Sequence, residues 1–399
     1  MMKKSILVLS IVFAVSGITN VFAKEGKSGY NFETIYDVDA TSVKNQYRSS
    51  TCWSFAGLSF LESEMIKNGR EAVDLSEMFV VRNCYSDKAI KYVRLHGALN
   101  FGAGGSFEDV LYVLRNYGMV PEQSCSGLEY GEEKHVHGEM DELLKGYVDG
   151  VIRNKNKKLS NAWHKGFNGI LDGYLGEYPE TFTYEGKEYT PQSFAKEVTG
   201  LNPDDYIIVT SFKHHPYNSK FIFEVPDNWV WGEVYNVELE DLKAIMHSSL
   251  EQGHTFGWAS DVSEKGFSFR NGVAIVPENS IEELADSERS KWEAMTKAER
   301  DKLMYSFEGP VQEKVITAEM RQEEFDNYLS TDDHGMHVTG MAKDQNGTIY
   351  YKVKNSWDTN NKYDGYLYAS EAFVLLKTMN IMINKNVLPK DIKKKLGIK

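Results

Sequence analysis

Gln46-Tyr47-Arg48-Ser49-Ser50-Thr51-Cys52-Trp53-Ser54-Phe55 leads from a polar turn into an apolar, periodic run. Downstream of Cys52, Phe55, Leu58, Leu61, Met65 and Ile66 recur near the spacing of one helical face, and the run stops at Asn68-Gly69. The pattern predicts a helix over 52–67, with Ser49, Ser50 and Thr51 as candidate N-caps. Cys52 is therefore expected in the first helical turn. There, unpaired N–H groups and a neighbouring imidazolium can draw a thiol down to about 3.5–7.5 and favour the thiolate. The cysteine's own amide can serve as an oxyanion donor, and Gln46, six residues upstream, can supply a second from its side chain.

A second constellation lies near the other end. His334–Ala342 and Ile349–Val353 read as strands joined by the turn Asp344-Gln345-Asn346-Gly347. The midpoint of His334 and Asn355 falls inside that turn, so an antiparallel hairpin should bring the two level across neighbouring strands. An Asn so placed can hold an imidazole in one orientation and tautomer. His337 is a rival for the same role on the opposite face of the strand, and turn chemistry alone leaves the choice open.

Between these ends, the loop Gly102-Ala103-Gly104-Gly105 precedes a periodic helical stretch, Phe107–Tyr117. Residues from about 130 to 200 are polar with helical periodicity and read as an insertion. Short β-rich runs follow, including 206–211 and 220–225, and then a charged stretch, 281–303, expected as a solvated helix. No internal repeat or low-complexity segment is present.

Composition sets the outer bounds. The 399 residues are 41% hydrophobic and 13% aromatic, enough for a large packed core. The net charge of -13 argues against nucleic acid as a partner, because backbone binding needs clustered cations. Lys3 and Lys4, the apolar run Ile6–Val15 and the exit Val21-Phe22-Ala23 have the layout of a secretory signal peptide cleaved near Ala23, which implies a periplasmic or extracellular product. No later stretch is apolar enough to span a membrane, so no insertion is expected after leader removal. Three cysteines form no disulfide framework, and Cys84 and Cys125 are expected as buried free thiols. His135, His137, His214 and His215 lack the Cys or carboxylate spacing of a zinc site and are expected as exposed loop histidines. Asn346-Gly347-Thr348 fits a glycosylation sequon that the turn already explains. No nucleotide, haem or flavin motif occurs, and no cofactor or metal is expected.

The stretch around Cys52, with Asn355-Ser356-Trp357 and Gly365-Tyr366, resembles the papain family of cysteine peptidases, these separated motifs occurring in that family's order. The resemblance implies an α+β fold with a helical lobe and an antiparallel β-barrel lobe, divided here as 24–130 and 205–399 around a mainly helical insertion, 131–204. It also implies Cys52 as nucleophile, His334 as general base and then acid, Asn355 as its orienter and Gln46 as oxyanion donor. Gly104 and Gly105 match the loop that pairs with substrate backbone, and Trp357 the aromatic that shields the His/Asn hydrogen bond.

Three departures point to a sub-branch. The histidine follows the cysteine at far more than the common interval of about 130–150 residues. Ser49 replaces a disulfide cysteine, and Asp358 stands where glycine follows the Asn-Ser-Trp. These features are similar to the bleomycin hydrolase and aminopeptidase C branch. So are Tyr117-Gly118-Met119-Val120-Pro121, Pro179-Glu180-Thr181-Phe182-Thr183, Lys297-Ala298-Glu299-Arg300 and His334-Gly335-Met336-His337-Val338-Thr339.

That branch implies peptide substrates, removal of N-terminal residues and a homo-hexamer with its sites facing an internal cavity. Its members place a C-terminal arm in the cleft. Here Lys390–Lys399 is basic and lacks the small terminal segment, so an endopeptidase with an open cleft is the alternative expectation. An inactive peptide-binding homologue is the alternative of another class.

Overall fold

The computed structural model describes residues 29–278 and 294–398. The leader reading and the first part of the charged stretch, 281–293, lie outside the described residues.

Five helices organise the first half: α1 (Cys52–Lys67), α2 (Glu77–Arg94), α3 (Phe107–Asn116), α4 (Gly138–Ile152) and α5 (Ala162–Leu175). The apolar stripe expected on α1 is only part of its burial. From Trp53 to Met65 every residue is buried, including Glu62 and Glu64. Such a helix needs partners for its carboxylates, since a buried charge without them is costly. Glu64 accepts from His254 Nδ1 at 2.7 Å and Asn384 Nδ2 at 2.8 Å, while Glu62 accepts from the Leu75 N–H at 3.0 Å. The 130–200 region is built into the same core: Leu144 and Val148 of α4 and Phe167 and Leu171 of α5 join Phe60 of α1 and Phe79 of α2.

An eleven-stranded sheet carries the rest. Its centre is the strand His334–Lys343, paired antiparallel with Phe256–Ser260 on one side and Ile349–Lys354 on the other, with Glu33–Asp37 added along its far half. Thr378–Asn384 lies beyond Phe256–Ser260 and pairs in turn with Tyr206–Thr210. One face of this sheet holds a second core, including Trp258, Met336, Val338, Val353, Phe373 and Ile381. The remainder of the charged stretch forms the helix Lys297–Met304, with no buried residue, as its solvated pattern predicts.

The two halves meet where α1 lies on the central strand. Gly335 makes that approach possible, because a Cβ there would stand 3.1 Å from the Trp53 Cα. A close helix–sheet contact at this one residue sets the first turn of α1 beside His334.

Candidate active site

Cys52 is the first residue of α1. The expected side-chain cap is missing: Thr51 occupies the N-cap position without capping the helix, and its Oγ1 lies 2.5 Å from the Ser49 Oγ instead. The unpaired amides of the first turn are left to the cleft, and the N–H groups of Trp53 and Gly335 point at the Cys52 sulfur. Trp53 Nε1–H donates to the Ala103 carbonyl at 3.0 Å, which ties the glycine loop to the helix start. At Gly105 a Cβ would meet the Trp53 ring at 2.7 Å, so the loop packs this closely only with glycine. The backbone N–H and C=O of Gly105 carry no hydrogen bond among the described residues, whereas the Gly104 carbonyl already accepts from Lys88 Nζ at 2.6 Å.

His334 begins the central strand, and its Nε2 lies 2.7 Å from Asn355 Oδ1. The hairpin midpoint predicts the two level, and they are not. A bulge between Val338 and Gly340 sets His337 against Lys354, so the ladder extended by one residue would place Asn355 opposite Met336. The offset of two residues makes His334 and Asn355 diagonal neighbours, a separation that long side chains still bridge. Asn355 Oδ1 also accepts from the Ser356 N–H at 2.8 Å, which identifies it as the oxygen. His334 must therefore carry its proton on Nε2, leaving the Nδ1 lone pair unengaged by Asn355.

His337 faces elsewhere. It is buried, its Nδ1 lies 2.9 Å from Ser59 Oγ, and it does not line the cleft that Cys52 and His334 share. Trp357 stacks on His334 with ring centroids 4.5 Å apart and is itself flanked by Phe267 and Phe269.

Gln46 is delivered by a short pairing between 45–46 and 356–357, where its N–H donates to the Ser356 carbonyl at 2.9 Å. Ser356 Oγ–H donates to Gln46 Oε1 at 2.6 Å, which turns the Nε2 amide toward the cleft that Gln46 lines. Asp358, in place of glycine, adopts φ 69°, and its carboxylate oxygens accept from Asn45 Nδ2 at 3.1 Å and from the Thr359 N–H at 2.7 Å. Asp is among the few residues that tolerate that conformation, and these bonds hold it there.

These residues line an open cleft of about 960 Å³. Its electrostatics reverse one expectation. Burial pushes the Cys52 thiol up to about 11, with Asp332 and Asp227 pushing the same way against the N–H groups of Gly335 and Trp53. Burial also takes His334 down to about 4, against the pull of Asn355 and Asp333. In the resting cleft the neutral thiol and neutral imidazole are favoured over either lone charge. A proton passed from sulfur to Nδ1 creates both charges together, and the dry setting that penalises each alone strengthens their attraction.

Asp227, Asp332, Asp333 and Asn380 of this cleft were not foreseen from the sequence: Asp227 and Asn380 arrive from segments with no motif around them, and Asp332 and Asp333 directly precede the His334 motif without belonging to it. Cys84 and Cys125 are buried and unpaired, as expected.

The expectation of exposed loop histidines fails at His135 and His137; His214 is exposed and His215 half-exposed in a turn, as expected, but a carboxylate reaches that pair after all. His137 is buried with neither ring nitrogen bonded among the described residues, and His135 is half-buried 5.6 Å from it, ring to ring. Glu224, brought round by the strand Ser219–Ile222, reaches the other pair, with an oxygen 2.9 Å from His214 Nε2 and another 3.3 Å from His215 Nε2. Among the described residues this is the one group whose donor atoms could hold a divalent cation, and it lies outside the cleft.

Burial takes both His135 and His137 down to about 4. As pH falls below the ordinary histidine value of about 6.5, the unfolded chain binds these protons first, so stability is lost between about pH 6.5 and 4. His137→Phe should shrink the difference in thermal midpoint between pH 7.5 and pH 5 relative to the natural chain. An undiminished difference would refute the assignment.

The chain belongs to the Peptidase C1-like family, whose model matches residues 3–308 and 296–398. It is a papain-like cysteine peptidase of the aminopeptidase C branch. Aminopeptidase C of Lactobacillus delbrueckii subsp. lactis is 24% identical over 401 residues, covering 90% of this chain and 82% of that protein. Aminopeptidase C of Listeria innocua serovar 6a is 23% identical over 398 residues, covering 90% and 83%. The crystal structure of PepW from Lactobacillus rhamnosis superposes with a TM-score of 0.65 at 20% identity, covering 92% of this chain and 84% of that one.

Proposed function

We propose that this chain is an exported thiol aminopeptidase or oligopeptidase in which Cys52, His334, Asn355 and Gln46 carry the reaction. The reading rests on one observation above all: the Nε2–H tautomer of His334, imposed by Asn355, in the cleft that holds Cys52. As a peptide carbonyl enters, Nδ1 takes the Cys52 proton and sulfur attacks the carbonyl carbon. The oxyanion accepts from the Cys52 N–H and Gln46 Nε2. The imidazolium returns its proton to the departing amine, and an acyl-enzyme remains. Water, deprotonated by the same Nδ1, then releases the acid and restores the thiol. Gly105 offers its free backbone groups to the substrate chain, and Trp357 keeps water from the His334–Asn355 bond.

The names of the relatives favour the aminopeptidase reading. An endopeptidase is the second reading, favoured by the open cleft. Ile392 is buried in the second core, Leu396 and Ile398 pack against that core, and Lys395 reaches Asp241 at 2.7 Å, so none of them lines the cleft. Export is read from the basic, apolar and small-residue succession over 1–23.

One peptide with a free N-terminus and its N-acetylated twin decide between the two readings. Under reducing conditions, loss of all cleavage on acetylation is expected of an aminopeptidase, and equal cleavage of an endopeptidase. Turnover no higher than that of Cys52→Ala would refute both. Sequencing of the secreted protein should find Lys24 first.

A further inference from the structure

We propose that the wall of the cleft bearing Asp227, Asp332 and Asn380 is a subsite for a positively charged group of the substrate, an ammonium. The subsite rests on the peptidase reading only in requiring that a peptide enter this cleft.

Three acceptor groups face the cleft with capacity to spare. Asp227 is held through one oxygen, Oδ1, which accepts from Asn100 Nδ2 at 2.7 Å, and its other oxygen closes over Gly104, where the missing Cβ leaves room. Asp332 makes no hydrogen bond among the described residues. Its carboxyl is pushed up to about 7 by burial and by the neighbouring charges of Asp227 and Asp333. Asp333 itself is occupied, accepting from Thr331 Oγ1 at 2.8 Å and the Ser263 N–H at 3.2 Å.

Asn380 is an independent pointer to a ligand. It is 4% exposed, lines the cleft, and its Oδ1 has no partner among the described residues. Its place follows from the sheet: Asn380 pairs with Ala259, and Ala259 with Gly335, so the three form one row beside His334. A buried acceptor left without a donor is costly, and an ammonium brings three donors and no acceptor.

Among the described residues no lysine or arginine lines the cleft to answer these groups. Lys88, the cation behind the glycine loop, donates to the carbonyls of Gly102 at 2.9 Å and Gly104 at 2.6 Å. The subsite also couples to chemistry. Asp332 and Asp227 oppose ionisation of Cys52. A cation between them cancels that opposition, so the group that anchors the substrate also eases formation of the thiolate.

The test is calorimetric titration of the Cys52→Ala protein with a norleucine-rich hexapeptide in three forms. One has a free N-terminus, one is N-acetylated, and one is N-acetylated with lysine at each of the first three positions in turn. At least one cationic form should bind about 10- to 100-fold more tightly than the acetylated neutral peptide. Adding Asp332→Asn or Asp227→Asn should bring that ratio near one. Preference for the free N-terminus identifies an α-amino subsite, and preference for one lysine position identifies a side-chain subsite.

Equal binding of all forms by the Cys52→Ala protein would overturn the proposal even if neither aspartate variant folds. So would a ratio that survives both substitutions in variants of unaltered thermal midpoint. Failure of the peptidase reading is separate, because it appears as absence of turnover in the protein that retains Cys52.

Discussion

His334→Ala should lower kcat by roughly 10⁴- to 10⁶-fold, with a much smaller change in KM. With the Cys52 thiol pushed up to about 11, only about one molecule in ten thousand holds a thiolate at pH 7 without a base to take the proton. The same nitrogen must also protonate the leaving amine, so its removal penalises the breakdown of the tetrahedral intermediate as well. Added imidazole should restore part of the rate. His337→Ala serves as the comparison, since that ring is tied to Ser59 in the interior; its loss should lower the thermal midpoint first. A His334→Ala protein that kept more than about a tenth of its kcat would transfer the role elsewhere.

The second large effect belongs to Gln46. Gln46→Ala should reduce kcat by about 100- to 1000-fold with KM nearly unchanged, because an oxyanion donor strengthens its bond only as negative charge develops. The Ser356 hydroxyl commits Gln46 Oε1 and so presents Nε2. Ser356→Ala should therefore weaken catalysis by a smaller factor in the same direction, by freeing the amide to rotate. A rise in KM alone for Gln46→Ala would make the residue a ground-state contact instead.

Much of this was legible in the chain itself, wherever the signal was local. The periodicity from Cys52 to Lys67 is a helix, Asp344–Gly347 is a tight turn between two strands, and Phe107 opens a helix after a glycine loop. Each depends on backbone preferences and side-chain spacing over a few residues, which do not wait on the rest of the molecule. The motifs named the family and hence the four residues to look for.

Local stretches of the chain thus set which elements form and the chemical types they carry. Tertiary structure alone decided how they meet. It buried α1 on all sides, displaced the hairpin by a bulge so that His334 meets Asn355 on the diagonal, and turned His337 inward. It drew His137 into the interior and set Glu224 against His214 and His215. It also gathered Asp227, Asp332 and Asn380 from three distant segments around Cys52, where burial and unanswered charge push the thiol up. The physical reason is common to all of these. Burial, register and the field at a titrating atom are sums over neighbours far apart in the chain, and no short stretch of residues contains them.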